Sequence, residues 1–131
     1  MRIFNHPNIM KIVDMIQTAK QIYLIMEYIG TSNLYHYTCT KNDYIVDEEN
    51  ARQIFRKVVS AVLECHRKGV VHRDLKMENI MINKNKEVKI IDFGFSLKVT
   101  KNERIEVRGK KEGTIGYWFA YWGFFTSLMV P

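Results

Sequence analysis

His72-Arg73-Asp74-Leu75-Lys76-Met77-Glu78-Asn79 is followed, thirteen residues after Asn79, by Asp92-Phe93-Gly94. Between the two lie short β-rich runs, Ile80-Met81-Ile82 and Val88 to Ile91, joined by the turn-forming Asn83-Lys84-Asn85-Lys86. A hairpin of this kind pairs its arms and brings Asn79 and Asp92 to the same end. Asp74 and Lys76 are two residues apart, so in an extended loop both side chains leave on one side. Phosphoryl transfer needs a carboxylate at the attacking hydroxyl, cations on the moving phosphate and oxygen ligands for magnesium. Asn79 and Asp92 offer hard oxygens of the kind Mg²⁺ prefers, and only one of them carries charge, which leaves room for phosphate oxygens. Gly94 permits the backbone turn that would aim Asp92 inward. Each short motif alone is a weak signal, and the bland alternative makes Asp74 a turn residue and Asn79 a cap. The two motifs in this order, behind an amphipathic helix, outweigh it.

That helix is predicted from Glu48 to Lys68. Asp47 can cap it, and Glu48 and Glu49 complement the dipole in its first turn. Ile54, Val58, Ala61, Val62 and Cys65 recur at helical spacing and form one buried face. Arg67 and Lys68 fill the last turn, and Gly69 suits the left-handed position that closes it. Further upstream, Ile9 to Gln17 and Gln21 to Tyr28 are β-rich and joined at Thr18-Ala19-Lys20, a second hairpin. Asn33 to Thr38 can make a short helix after the break at Gly30, and Val70-Val71 a short strand. A hairpin, a long helix, then short strands and loops give an α+β fold class.

The segment from His72 to Asn79 and Asp92-Phe93-Gly94 resemble the catalytic loop and the DFG element of eukaryotic-type serine/threonine protein kinases. By that resemblance Asp74 orients the substrate hydroxyl, Lys76 neutralises charge, and Asn79 and Asp92 hold Mg²⁺. Lys76 marks the serine/threonine type of loop. Tyr23 to Tyr28 looks like the fifth strand and hinge, which implies Met26 as gatekeeper, backbone groups of Glu27 and Ile29 facing the adenine of ATP, and Met81 as the apolar floor beneath it. Without the downstream motifs, a plain buried strand would be the better reading of Tyr23 to Tyr28. His6-Pro7-Asn8 looks like the loop entering the fourth strand. His72 and Phe93 are taken as packing residues, and Arg73 would hold a phosphate on the activation loop. Asp92-Phe93-Gly94-Phe95-Ser96 is most similar to the branch related to calmodulin-dependent and AMP-activated kinases. Gly113-Thr114-Ile115-Gly116-Tyr117 resembles the end of the activation segment, with Thr114 near Asp74 and Lys76. The usual phospho-acceptor place holds Lys110, Lys111 and Glu112 instead, so activation by loop phosphorylation is not implied.

The resemblance covers residues 1–117, a partial kinase domain: chiefly an incomplete C-terminal lobe, with two N-terminal-lobe strands and the hinge. No GxGxxG loop, strand-borne VAIK-type lysine or helix-C glutamate occurs in the 131 residues. The stretch from Trp118 to Pro131 departs from the family and is expected to be a non-homologous apolar tail, with a membrane anchor or a partner-docking strip as alternatives. The chain is therefore expected to be truncated relative to the family at both ends.

Composition bounds the rest. One domain fits 131 residues with 47% hydrophobic and 26% charged side chains. A net charge of +6 and a pI near 9.3 raise the question of nucleic acid or an anionic membrane. The basic residues are interleaved with acids, however, and only Lys98 to Lys111 is locally rich, which reads as a solvated loop. Neither partner is expected; a protein substrate bearing Ser or Thr is. Ser96 to Gly113, charged and poor in apolar residues, is expected to be the least ordered interior stretch. Cys39 and Cys65 show no metal or CxxC spacing and fit a reducing intracellular compartment, the cytoplasm. No signal peptide and no run of ~20 apolar residues is present.

Overall fold

A computed structural model describes residues 3–40 and 46–99. Expectations for the basic loop after Val99, the activation-segment end at Gly113 to Tyr117 and the tail at 118–131 lie outside the described residues. The chain is α+β. Strands β1 (Ile12–Gln17) and β2 (Ile22–Met26) precede helices α1 (Leu34–Cys39) and α2 (Glu48–Arg67). Strand β3 (Val70–Val71), a 3-10 turn at Met77–Asn79, then β4 (Ile80–Ile82), β5 (Val88–Ile90) and β6 (Leu97–Lys98) follow. The strands pair antiparallel as β1–β2, β3–β6 and β4–β5.

Helix α2 forms where its caps and its apolar period agree. The Asp47 carboxylate accepts from Asn50 N at 3.0 Å, and Glu48 and Glu49 occupy the first turn. Ile54, Val58, Ala61 and Cys65 are buried on one face, which packs on β5 and β3. With Val70, Ile80, Ile82, Val88, Ile90 and Phe93 they build the core; each fully buried Val or Ile side chain contributes ~1.5–3 kcal/mol. Lys68 is the C-cap, and Gly69 follows at φ 68. A Cβ at Gly69 would meet Val99 O at 2.6 Å, because Val99 N donates to Gly69 O at 2.7 Å. Glycine is therefore required there both by its backbone angle and by the close approach of β6.

The first hairpin and the first helix depart from expectation. Ile9 is not part of the first hairpin strand: it is 2% exposed and bridges in parallel to Ile90, with Met10 N on Ile90 O and Ile90 N on Asn8 O, both at 2.9 Å. Burial against the core wins over extension of the hairpin, and β1 starts at Ile12. Of the stretch from Ser96 to Gly113 only Ser96 to Val99 is among the described residues, and there Leu97 and Lys98 pair with Val71 and Val70. Helix α1 is shifted by one residue, with Asn33 as the cap whose side chain accepts from His36 N. The first hairpin closes through Thr18 N to Gln21 O at 2.8 Å and carries a register shift between Ile12 and Asp14. Its apolar side chains Val13, Met15, Ile16, Ile22, Leu24 and Ile25 are exposed. Among the described residues no helix is long and apolar enough to cross a membrane.

Candidate active site

The loop from His72 to Asn79 runs between β3 and β4, and its polar side chains turn inward. Asp74 is 4% exposed, and its Oδ2 lies 3.1 Å from Lys76 Nζ and 3.0 Å from Asn79 Nδ2. The same Asn79 nitrogen donates to Asp74 O at 2.9 Å. A buried carboxylate is tolerated here because a cation and an amide face it, as burial of charge demands. Both bonds from Asn79 use Nδ2, so its Oδ1 takes no part in holding Asp74.

Behind Asp74 stands His72. Its Nδ1 accepts the Asp74 amide at 3.2 Å, so the proton sits on Nε2, which donates to Ile91 O at 2.9 Å. Burial holds the His72 pKa below its ordinary value, against the raising effects of the Ile91 carbonyl and the Asp74 and Asp92 carboxylates. The ring packs on Phe93 with centroids 4.6 Å apart, and Phe93 on Phe4 at 5.4 Å. The two motifs are thus joined through His72 and Phe93, both buried packing residues as expected.

Asp92 arrives at the site from the far arm of the second hairpin, where Ile91 N donates to Asn79 O at 2.9 Å. The left-handed backbone angle falls on Asp92 itself (φ 58) rather than on Gly94. Asp92 Oδ1 accepts from Gly94 N at 3.1 Å, and a Cβ at Gly94 would come within 3.0 Å of that oxygen. Gly94 is therefore needed for the close approach, and Asp is one of the few side chains that tolerate the left-handed region. Asp92 Oδ2 and Asn79 Oδ1 are a hard carboxylate and a hard amide oxygen, a donor set that fits Mg²⁺ shared with phosphate and water. Among the described residues no group of three His, Cys, Asp or Glu side chains could hold a metal alone. Arg73, at φ 66, donates its Nε to Phe95 O at 2.6 Å.

The residues expected around adenine lie on β4 and at and beyond the end of β2. Met26 ends β2 and is 46% exposed, Ile29 is buried, and Met81 on β4 is half-buried. The segment after the left-handed Gly30 is held to β4 by Ile82 N on Ser32 O at 3.0 Å and by a bridge between Asn33 and Met81. Glu27 is tied by its carboxylate to Lys11 N and Lys89 Nζ, at 2.7 and 2.9 Å. The sequence assigns no contact to Lys89, to Asn8, whose Nδ2 donates to Val88 O, or to Glu78, whose Oε2 is buried with no hydrogen-bond partner among the described residues. Nothing local marks Lys89 or Asn8; both act across long sequence separations. A cavity of about 330 Å³ lies behind the loop, walled by Leu34, Ile54, Val58, Leu75, Met77 and Ile80.

Residues 1–119 match the protein kinase domain family. The chain is 47% identical over 94 residues to the "Probable serine/threonine-protein kinase KIN1 homolog" of Enterocytozoon bieneusi, covering 72% of this chain and 16% of that protein. It is 41% identical over 103 residues to sperm motility kinase 2B of Mus musculus (79% and 21%) and 43% over 103 residues to mouse sperm motility kinase 3A (79% and 20%). The chain thus spans between 16% and 21% of the length of these relatives. With the loop from His72 to Asn79 and Asp92-Phe93-Gly94 in place, and with this match over most of its length, the chain belongs to the serine/threonine protein kinase family.

Proposed function

We propose that residues 3–99 form the active-site floor of an ATP-dependent serine/threonine protein kinase. In this reading β1 and β2 are two strands of the N-terminal lobe, Glu27 to Ile29 the hinge, and the remainder an incomplete C-terminal lobe. The kinase region runs over 1–117, and 118–131 is a separate apolar tail. The observation that carries the reading is the buried Asp74 carboxylate held by both Lys76 and Asn79. Asp74 accepts the hydrogen bond of a substrate Ser or Thr hydroxyl and aims its oxygen at the γ-phosphorus of ATP. Lys76, beside it, neutralises charge on the transferring phosphoryl group. Asn79 and Asp92 would hold Mg²⁺, which when bound neutralises phosphate oxygens. Adenine would rest between Met81 and Met26, against the backbone of Glu27 and Ile29. The partner is a protein substrate rather than nucleic acid or a membrane, the compartment is the cytoplasm, and Asp92-Phe93-Gly94-Phe95-Ser96 favours the branch related to calmodulin-dependent and AMP-activated kinases.

The 131 residues include no GxGxxG and no strand-borne lysine, so the chemistry is tested with those parts supplied. Residues 1–117 are exchanged for the matching segment of a full-length serine/threonine kinase of the family. The chimera is expected to phosphorylate a Ser/Thr peptide, and Asp74→Asn to lower the rate by ~10² or more. Equal rates in the chimera and its Asp74→Asn variant would overturn the reading. A second reading, a non-catalytic interaction module, is favoured by one observation: the exposed apolar side chains of the first hairpin. It predicts an inactive chimera with partner binding that is indifferent to Asp74→Asn.

A further inference from the structure

The first hairpin is joined to the core at a narrow waist. Asn8 to Met10 runs beside β5, and from Lys11 onward almost every side chain of β1 and β2 is exposed. Little apolar burial therefore fixes the hairpin's orientation, and a pivot at Lys11 would swing β2 and the residues after it. One polar cluster spans that pivot. Lys89 on β5 places Nζ 2.9 Å from Glu27 Oε1 and 2.9 Å from Pro7 O. The same Glu27 oxygen accepts Lys11 N at 2.7 Å, while Glu27 N donates to Lys11 O at 3.1 Å. Four segments thus meet at one ion pair: the loop at Pro7, the residue entering β1, the residue leaving β2 and the middle of β5.

We propose that Lys89 is a positioning residue whose ammonium latches the Glu27 carboxylate, and with it the end of β2, onto β5. The pair is sheltered, with side chains 17% and 31% exposed for Lys89 and Glu27, so it is screened less than an open surface pair. Its geometry is over-determined: the ammonium has two oxygen acceptors, and the carboxylate oxygen two nitrogen donors on different segments. Burial raises the Glu27 pKa, but the Lys89 hydrogen bond and the Lys11 amide outweigh it and leave the carboxyl below its ordinary value, as a charged partner of a latch requires. Lys89 sits on the strand that carries Ile90, and Ile90 lies two residues before Asp92. The latch therefore couples the end of the first hairpin to the strand that delivers Asp92. That Glu27 to Ile29 face a nucleotide rests on the function proposed above; the latch itself does not.

The test is amide hydrogen exchange on the full 131-residue chain, without nucleotide, so failure of the kinase reading cannot be mistaken for failure of the latch. Lys89→Met keeps the apolar stem and removes the charge; Glu27→Gln removes the carboxylate's charge and leaves β5 untouched. Each is expected to raise exchange at the Lys11 and Glu27 amides about tenfold, with Ala61 and Cys65 in α2 unchanged. Combining the two should add nothing further, and Lys89→Arg should restore protection. Unchanged exchange at Lys11 and Glu27 in both single variants would overturn the latch. So would an equal rise throughout α2, or additive effects in the double variant.

Discussion

Asn79 holds Asp74 twice through one nitrogen, at the Asp74 carbonyl (2.9 Å) and at Oδ2 (3.0 Å). The first bond fixes the loop backbone and the second fixes the carboxylate rotamer, so one side chain sets both where Asp74 is and where it points. Asn79→Ala leaves two buried acceptors short of a donor, and thermal unfolding should show a loss of ~1–3 kcal/mol. Asn79→Asp sets a second carboxylate against Asp74. It should be more destabilising than Asn79→Ala at neutral pH and recover partly on acidification. Equal stability of Asn79→Asp and the parent chain at neutral pH would contradict this picture.

Gly69 closes α2 at φ 68, and a Cβ added there would lie 2.6 Å from Val99 O. Gly69→Ala should therefore destabilise by ~1–3 kcal/mol, combining left-handed strain with displacement of β6. Denaturant titration measures it, and a stabilised or neutral variant would be inconsistent with the contact.

Burial lowers the pKa of His72, and of His66, below the ordinary 6.5, so the folded chain binds these protons less readily than the unfolded chain. Where the unfolded chain holds more protons, stability rises with pH. Stability from these groups is thus fully present above about pH 6.5 and is lost as pH falls through the window beneath it. His72→Phe should flatten the slope of unfolding free energy between pH 6.5 and 5, with His66 retaining a residual slope. An unchanged slope would remove His72 from the account.

Local sequence signals carried most of α2 and both hairpins, because caps, period and turn residues all lie within a few positions of one another. Asp47, Ile54, Val58, Ala61, Cys65 and Gly69 all behave as their spacing indicates. The grouping of Asp74, Lys76 and Asn79 was legible for the same reason. What escaped was non-local or stereochemical. Leu97 and Lys98 become a strand only because Val70 and Val71 offer an edge. Ile9 joins β5 through a bridge spanning most of the described chain. Lys89 meets Glu27 across two sheets, and the left-handed angle fell on Asp92 where Gly94 was the obvious candidate.

Cys65 is 2% exposed, and burial, with Glu64 nearby, pushes its thiol up to about 12. A thiol with so little thiolate at neutral pH is a packing group. Alkylation by iodoacetamide at pH 8 should label the half-buried Cys39 first and reach Cys65 only on unfolding. Labelling of Cys65 in the native chain as fast as Cys39 would contradict the core assignment.

In the function proposed above, Asn79 and Asp92 form the metal-holding side of a phosphoryl-transfer site whose other side is Asp74 and Lys76. The most direct measurement uses Mn²⁺ with ADP as a paramagnetic stand-in, followed through the amide NMR signals of the ¹⁵N-labelled chain. It needs only fractional occupancy and no turnover. The account predicts selective broadening at Asn79, Ile91, Asp92 and Gly94, lost in Asp92→Asn. Retention of those signals, with broadening confined to surface carboxylates such as Glu48 and Glu49, would contradict it.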